Sequence, residues 1–250
     1  MYNYSYFQKC KYTNPEDFAD VLLHNRVVHL HGAPQMADYR PFYANLVQKA
    51  GSFVKVNEDY RTGDQNEQIA DWLDIRFDDV KKTETFRHSD THQPLHTDNA
   101  YNTFRFDVSF FFCEESAPIG GATTFIDGPV LIDIMAEYEP ELLKELETHE
   151  IIFDKGQHQR RVEKTVRYDE KGPLLNWNYY RISTENPPEI LALCERFQWF
   201  LENKIHSGGL LMPVYLKKGE AAFFHDDRVL HGRNAFFGPR CLIKGGLNIW

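Results

Sequence analysis

Two short runs carry residues whose types and spacing can do chemistry. In the first, Leu95-His96-Thr97-Asp98-Asn99-Ala100-Tyr101, an imidazole and a carboxylate stand two residues apart. On an extended strand, residues i and i+2 point to the same face, so His96 and Asp98 can converge on one ion. The second run, Asp227-Arg228-Val229-Leu230-His231-Gly232-Arg233-Asn234-Ala235-Phe236, can supply His231 as a third ligand. Two imidazoles and one carboxylate, with coordination positions left open, form a donor set that suits Fe(II) and oxygen chemistry. Alone, each residue has a plainer reading: His231 as a core histidine, His-x-Asp as a surface loop. The chain holds another such run, His225-Asp226-Asp227, but it lies between two apolar segments where Asp is an ordinary turn residue.

The elements that must position these residues are mostly strands. Residues 1–13 alternate aromatics and read weakly as a strand. Asn14-Pro15-Glu16-Asp17 opens a helix with a capping Asn, Pro at the first position and acids at the positive end of the dipole. Arg26–His31 is a β-branched run, and a second helix follows from Asp38 to Gly51. Residues 57–82 read as a polar loop with a short helix near Ile69-Ala70-Asp71-Trp72-Leu73, placed where it could cover a site. His88, His92 and His96 fall four apart, but Pro94 argues against a helix there. His88 and His92 are therefore expected at the surface or pocket rim.

Phe104–Cys113 predicts a strand, and Gly120-Gly121 leads into another. One helix is expected after Asp127-Gly128-Pro129, with Leu131, Ile134, Met135, Tyr138, Leu142 and Leu146 on one side. Glu150–Phe153 predicts a short strand. Arg161–Tyr168 and Leu174–Ile182 read as a strand pair around Asp169–Pro173. The clearest helix starts at Pro187-Pro188, buries Ile190, Leu193, Phe197, Phe200, Leu201 and Ile205, and ends at Gly208-Gly209. Further strands are expected at 211–216, 221–224, 229–231 and 240–250. Many short strands with about four helices predict a mainly β fold with flanking α, an antiparallel barrel or jelly roll with helices packed outside.

The chain has 250 residues, which suits one domain. The expected division is a core over roughly 83–250 with helical N-terminal support over 1–82. Aromatics make up 14%, favouring β-rich structure. A net charge of −9 argues against nonspecific nucleic-acid binding, which needs Lys and Arg to neutralise phosphates. Cys10, Cys113, Cys194 and Cys241 are scattered without a CxxC pair, so neither a disulfide framework nor a zinc cluster is expected. No apolar stretch is long enough to span a bilayer and the first residues lack a signal core, so a cytoplasmic location is the expectation.

Taken in order, His96-Thr97-Asp98, Gly120-Gly121-Ala122-Thr123, Asp226–Phe236 and Gly238-Pro239-Arg240 resemble the taurine dioxygenase / clavaminate synthase-like family of Fe(II)- and 2-oxoglutarate-dependent oxygenases, from about Leu95 to Trp250. The resemblance implies a double-stranded β-helix core. It implies that His96, Asp98 and His231 hold Fe(II), and that Arg240 pairs with the far carboxylate of 2-oxoglutarate. A planar guanidinium matches a carboxylate bidentately and stays charged when buried. Thr123 would donate its hydroxyl to the same carboxylate, with Thr124 as rival. The segment from His231 to Arg240 is short for the family, which makes Arg233 a competitor. Arg240 is preferred, because Arg233 lies two residues past a ligand and would more naturally orient the site.

Lys244 is implied as a substrate anchor, since a second basic residue at the matching place holds an anionic substrate group in taurine dioxygenase-like members. Asn99 and Tyr101 flank the motif and are expected either to line the substrate side or to serve as turn and rim residues. The carboxylate of Asp98 favours hydroxylation, or another oxidation, over halogenation. The expected activity oxidises a small polar substrate, such as an amino acid or related carboxylate, with O2, releasing succinate and CO2. Two other readings share the barrel: a cupin-like isomerase or dioxygenase without 2-oxoglutarate, and a non-catalytic binding module.

Overall fold

A computed structural model describes residues 5–55, 72–103, 105–156 and 159–250. In chain order the strands are β1 (Ser5–Lys11), β2 (Asn25–His31), β3 (Gly51–Val54), β4 (Leu73–Arg76), β5 (Gln93–His96), β6 (Val108–Glu115), β7 (Ile119–Gly120), β8 (Thr123–Asp127) and β9 (Glu150–Asp154). They continue with β10 (Arg160–Lys164), β11 (Val166–Asp169), β12 (Gly172–Leu175), β13 (Met212–Val214), β14 (Ala221–His225), β15 (Val229–Arg233), β16 (Phe236–Phe237) and β17 (Cys241–Ile249). The α-helices are α1 (Pro15–His24), α2 (Arg40–Val47), α3 (Gly128–Tyr138), α4 (Pro140–Thr148) and α5 (Pro188–Phe200), which runs into a π-helical turn, Leu201–His206.

Two sheets face each other as a double-stranded β-helix. The larger runs β1-β2-β14-β6-β17-β3, with β4 also paired to β17; the smaller runs β13-β8-β15-β5. Alternation along the strands explains why so many consecutive residues are apolar. In β6, Phe110 and Phe112 face outward against α1 and α2, in a cluster with Phe18, Leu22, Tyr43 and Phe223. Phe111 and Cys113 face inward with Phe125 and Phe224. Both faces of the sheet are buried, so its central strands carry hydrophobic residues throughout rather than alternating with polar ones. The smaller sheet turns Leu95, Ile126 and Leu230 outward against α3, α4 and α5, packed with Trp177, Phe197 and Phe200. Its opposite face is left free to point His96 and His231 into the barrel.

The structure corrects several expectations. The N-terminal third is not only a helical support, because β1 and β2 extend the larger sheet and pair in parallel around α1. The single helix expected after Asp127 is two, broken at Glu139-Pro140. Pro140 opens α4, since its ring cannot be accommodated inside a continuing helix. The expected pair Arg161–Tyr168 with Leu174–Ile182 is instead two hairpins, β9–β10 and β11–β12, and Tyr179–Arg181 forms a 3₁₀ turn. The loop expected over 57–82 lies outside the described residues as far as 71. Leu73, which was to end its short helix, begins β4. The four cysteines are free thiols. No helix among the described residues is long and apolar enough to cross a membrane.

Candidate active site

His231 on β15 stands directly opposite His96 on β5 in the antiparallel ladder. Beyond this pair the register slips, and Arg233 aligns with Gln93. Pro94 sits inside the slip, where a residue that cannot donate to the ladder is tolerated. The two imidazole rings lie 4.2 Å apart, centre to centre. Asp98 follows His96, and its Oδ1 lies 3.9 Å from His96 Nε2 and 3.7 Å from His231 Nε2. One ligand atom from each of the three lies within 4.8 Å of the others.

Neighbouring groups fix the orientation of each. His96 Nδ1 is 2.9 Å from the Pro94 carbonyl, which keeps the proton on Nδ1 and the Nε2 lone pair towards Asp98. The Ser109 hydroxyl donates to Asp98 Oδ2 at 2.8 Å, leaving Oδ1 to face the histidines. Asp226 accepts from the backbone N–H groups of Asp98 and Asn99 and so pins the loop. Lys244, on β17, places its ammonium 2.7 Å from Asp98 Oδ1.

The protonation states suit a cation. Burial lowers His96, and burial with the neighbouring His96 lowers His231 well below the usual range, so both imidazoles are neutral. Burial acts to raise Asp98, but the Lys244 ammonium beside it outweighs burial and holds the carboxylate ionised well below the ordinary range. A buried carboxylate with two neutral imidazoles is the donor chemistry of an Fe(II) site, and the residues fit that group.

These three residues line a cavity of about 180 Å³ together with Thr123, Tyr101, Arg233, Arg240 and Lys244. Arg240 is 5% exposed and Arg233 4%. Burial brings Arg240 down to about 10, and burial with the nearby Arg240 brings Arg233 down to about 9. Arg233 spends its fork on the carbonyls of Phe86 and Thr91, at 3.0 and 2.8 Å. Arg240 donates to the Gly121 carbonyl at 3.2 Å and, among the described residues, has no carboxylate partner. Such a buried guanidinium needs an anion. Gly121 lies at φ +75°, and a Cβ there would stand 3.1 Å from Arg240 Nε, so Gly121 makes room for the arginine. Thr123 lines the cavity beside Arg240; Thr124 faces away, its hydroxyl buried without a partner.

The substrate-side expectations divide. Tyr101 lines the cavity, under Lys155 and Arg181, whose charges lie 5.3 and 5.5 Å from its ring centre. Asn99 does not: its amide donates to the Phe106 carbonyl and accepts from Asn102, as a turn residue does. Lys244 lines the cavity, but its ammonium is tied to Asp98 rather than presented to open space. His92 is partly exposed and pairs with Glu202 rather than lining the cavity, and His88 bonds the Arg76 carbonyl. Asp226 was missed. Its type at a turn carries no signal, and its role appears only once the strand ends are brought together. Ser109 was likewise hidden within an apolar strand.

A family model described as "Taurine catabolism dioxygenase TauD, TfdA family" matches residues 11–246. The chain is 28% identical to mitochondrial trimethyllysine dioxygenase of Bos taurus over 165 residues, and 29% identical to that of Gallus gallus. These matches cover 59% of this chain but 38% of each relative, so the likeness spans about two fifths of their length. Among solved structures, the PvcB protein from Pseudomonas aeruginosa superposes with a TM-score of 0.67 at 14% identity, covering 98% of this chain and 86% of that one. An asparagine oxygenase bound to Fe(II), 3-hydroxyasparagine and succinate gives 0.69 at 12% identity, over 94% and 78%. AAD-2 bound to Mn(II) and N-oxalylglycine gives 0.70 at 11% identity, over 98% and 96%.

Proposed function

Because the chain belongs to the taurine catabolism dioxygenase TauD, TfdA family, we propose that it is an Fe(II)- and 2-oxoglutarate-dependent dioxygenase that hydroxylates a small polar substrate carrying a carboxylate. The observation that carries this reading is the convergence of His96, Asp98 and His231 within 4.8 Å inside the barrel. Iron and 2-oxoglutarate would supply the oxidising chemistry, in which O2-dependent decarboxylation to succinate and CO2 drives oxidation of a C–H bond.

The chain's own residues would do the positioning. His96, Asp98 and His231 would hold the metal. Ser109 and the Pro94 carbonyl keep the carboxylate and the imidazole turned towards it. Arg240 receives the far carboxylate of the cosubstrate through its unspent N–H donors, with Thr123 beside it. Asp98 is the only carboxylate lining the cavity among the described residues, against Arg87, Lys155, Arg181, Arg233, Arg240 and Lys244. That excess of cations favours anionic ligands, which supports a carboxylate-bearing substrate. Tyr101, with Lys155 and Arg181 over its ring, stands on the substrate side. A cupin-like centre without 2-oxoglutarate would have no use for Arg240.

The test is an anaerobic titration with Fe(II) and 2-oxoglutarate, watching for a weak visible charge-transfer band. The band is expected in the parent protein and absent in His96→Ala. Candidate substrates, beginning with asparagine and trimethyllysine, are then scored by whether they perturb it. Iron binding without a band on adding 2-oxoglutarate would overturn the cosubstrate.

A further inference from the structure

A second group of metal-ligating residues lies outside the barrel. His92 stands just before β5, while Glu202 and His206 lie in the π-helical turn that ends α5. One ligand atom from each lies within 4.8 Å of the others. His92 Nε2 is 3.1 Å from Glu202 Oε2, and the His92 and His206 rings are 4.3 Å apart, centre to centre. In a tetrahedral site with bonds of ~2.1 Å, neighbouring ligand atoms stand roughly 3.4 Å apart, so the 3.1 Å between His92 and Glu202 is close to what zinc requires and His206 lies within reach of the same ion.

The surroundings are those of a site rather than a chance meeting. His92 Nδ1 lies 3.2 Å from the Arg233 carbonyl, so a proton held there turns the Nε2 lone pair towards Glu202. Gln198 donates to Glu202 Oε1 at 3.2 Å and leaves Oε2 towards the histidine. The facing lone pair and carboxylate call for a cation between them, either a proton or a metal ion. The turn itself is wide, closed by the bond from Ser207 N–H to the Glu202 carbonyl. Its i→i+5 pattern sets His206 over Glu202, and such π-turns concentrate at functional sites. All three side chains are partly exposed, so an ion can enter.

We propose that His92, Glu202 and His206 form a second metal site for a borderline divalent ion of the zinc class, with at least one position left to water. The ion would clip the end of α5 to the segment leading into β5, four residues before His96. Two imidazoles and one carboxylate on a partly exposed surface suit Zn(II) and disfavour Mg(II) and Ca(II), which prefer all-oxygen shells.

The experiment counts Zn(II) bound by the untagged, metal-free chain in competition with a chromophoric chelator, with no activity assay. The parent chain is expected to bind two equivalents. His206→Ala and Glu202→Gln should each weaken one of them at least tenfold, and circular dichroism checks that these half-exposed changes leave the fold intact. The double variant His96→Ala/Asp98→Ala should keep the outer equivalent, and Zn(II) should still raise its melting temperature; adding His206→Ala should abolish that rise. Equal binding by the parent and His206→Ala chains would overturn the outer site and leave a plain hydrogen-bonded His92–Glu202 pair. If instead the His96→Ala/Asp98→Ala change costs no equivalent, the barrel site is the reading that fails.

Discussion

Asp226 holds the backbone of Asp98: its carboxylate accepts the Asp98 N–H at 2.8 Å and, through its second oxygen, the Asn99 N–H at 2.9 Å. The residue is completely buried, and burial with the neighbouring Asp98 pushes its carboxyl up to about 8. Asp226→Ala leaves two buried N–H groups without acceptors, at a cost of about 1–3 kcal/mol each. The expected outcome is a lower urea midpoint together with weaker Fe(II) binding, measured on the same preparation. Loss of stability with unchanged iron affinity would show that the loop keeps its shape without this anchor.

The choice between the two His-x-Asp runs is open to a direct comparison. Asp98→Ala and His231→Ala should reduce turnover to the background. Asp227→Ala should leave it within about twofold, since that side chain sits at a turn and its nearest charged partner, Arg228, is 3.9 Å away. Steady-state oxygen consumption on the three variants decides the matter.

The two buried arginines should separate kinetically. Arg240→Lys removes a bidentate fork that a point charge cannot replace. The loss of a charge-assisted hydrogen bond, about 1.5–3 kcal/mol, raises the KM for 2-oxoglutarate by roughly tenfold or more. Arg233 is bound to the Phe86 and Thr91 carbonyls, so Arg233→Lys should lower stability more than cosubstrate affinity. Initial rates against 2-oxoglutarate, paired with melting curves, give both readouts.

Acid should unfold the metal-free chain early. His29, His96, His225 and His231 are all held below the ordinary imidazole value of 6.5, with burial the largest cause in each. The unfolded chain takes up protons at these positions as the pH drops past 6.5, while the folded chain refuses them. The stability they share is therefore complete above 6.5 and is lost as the pH falls below it. Each contributes up to about 1.4 kcal/mol per pH unit in that range. Urea midpoints from pH 8 to pH 5 should fall, and His29→Gln should make the slope shallower.

What could be read in the chain followed from chemistry that is local. His96, Asp98 and His231 announce themselves because few residue types bind metal and because strand alternation aims them. The face of α5 could be read from its apolar spacing, and the Gly120-Gly121 turn from the need for positive φ. What could not be read depends on distant partners. The pairing of β1 with β2 has no local marker. The tie between Lys244 and Asp98 exists because β17 crosses the larger sheet opposite the loop after β5. The break at Pro140 was legible in principle, but an apolar stripe on both sides of it reads as one helix until the proline is weighed. His92 looked like a rim residue because its partners, Glu202 and His206, lie more than a hundred positions along the chain.

The pairing of His96 with His231 also bears on how the chain folds. These residues are ~135 positions apart (231 − 96), and closing so long a loop must be compensated before their contact returns anything. Between them only β9–β10 and β11–β12 are hairpins of near neighbours, while β6 and β8 pair with strands from the far end of the chain. The imidazoles meet only when the two ends of that stretch are brought into one ladder. A complete set of three donors therefore exists only once this long-range ladder has closed, so affinity for an ion at full strength reports on the closed barrel.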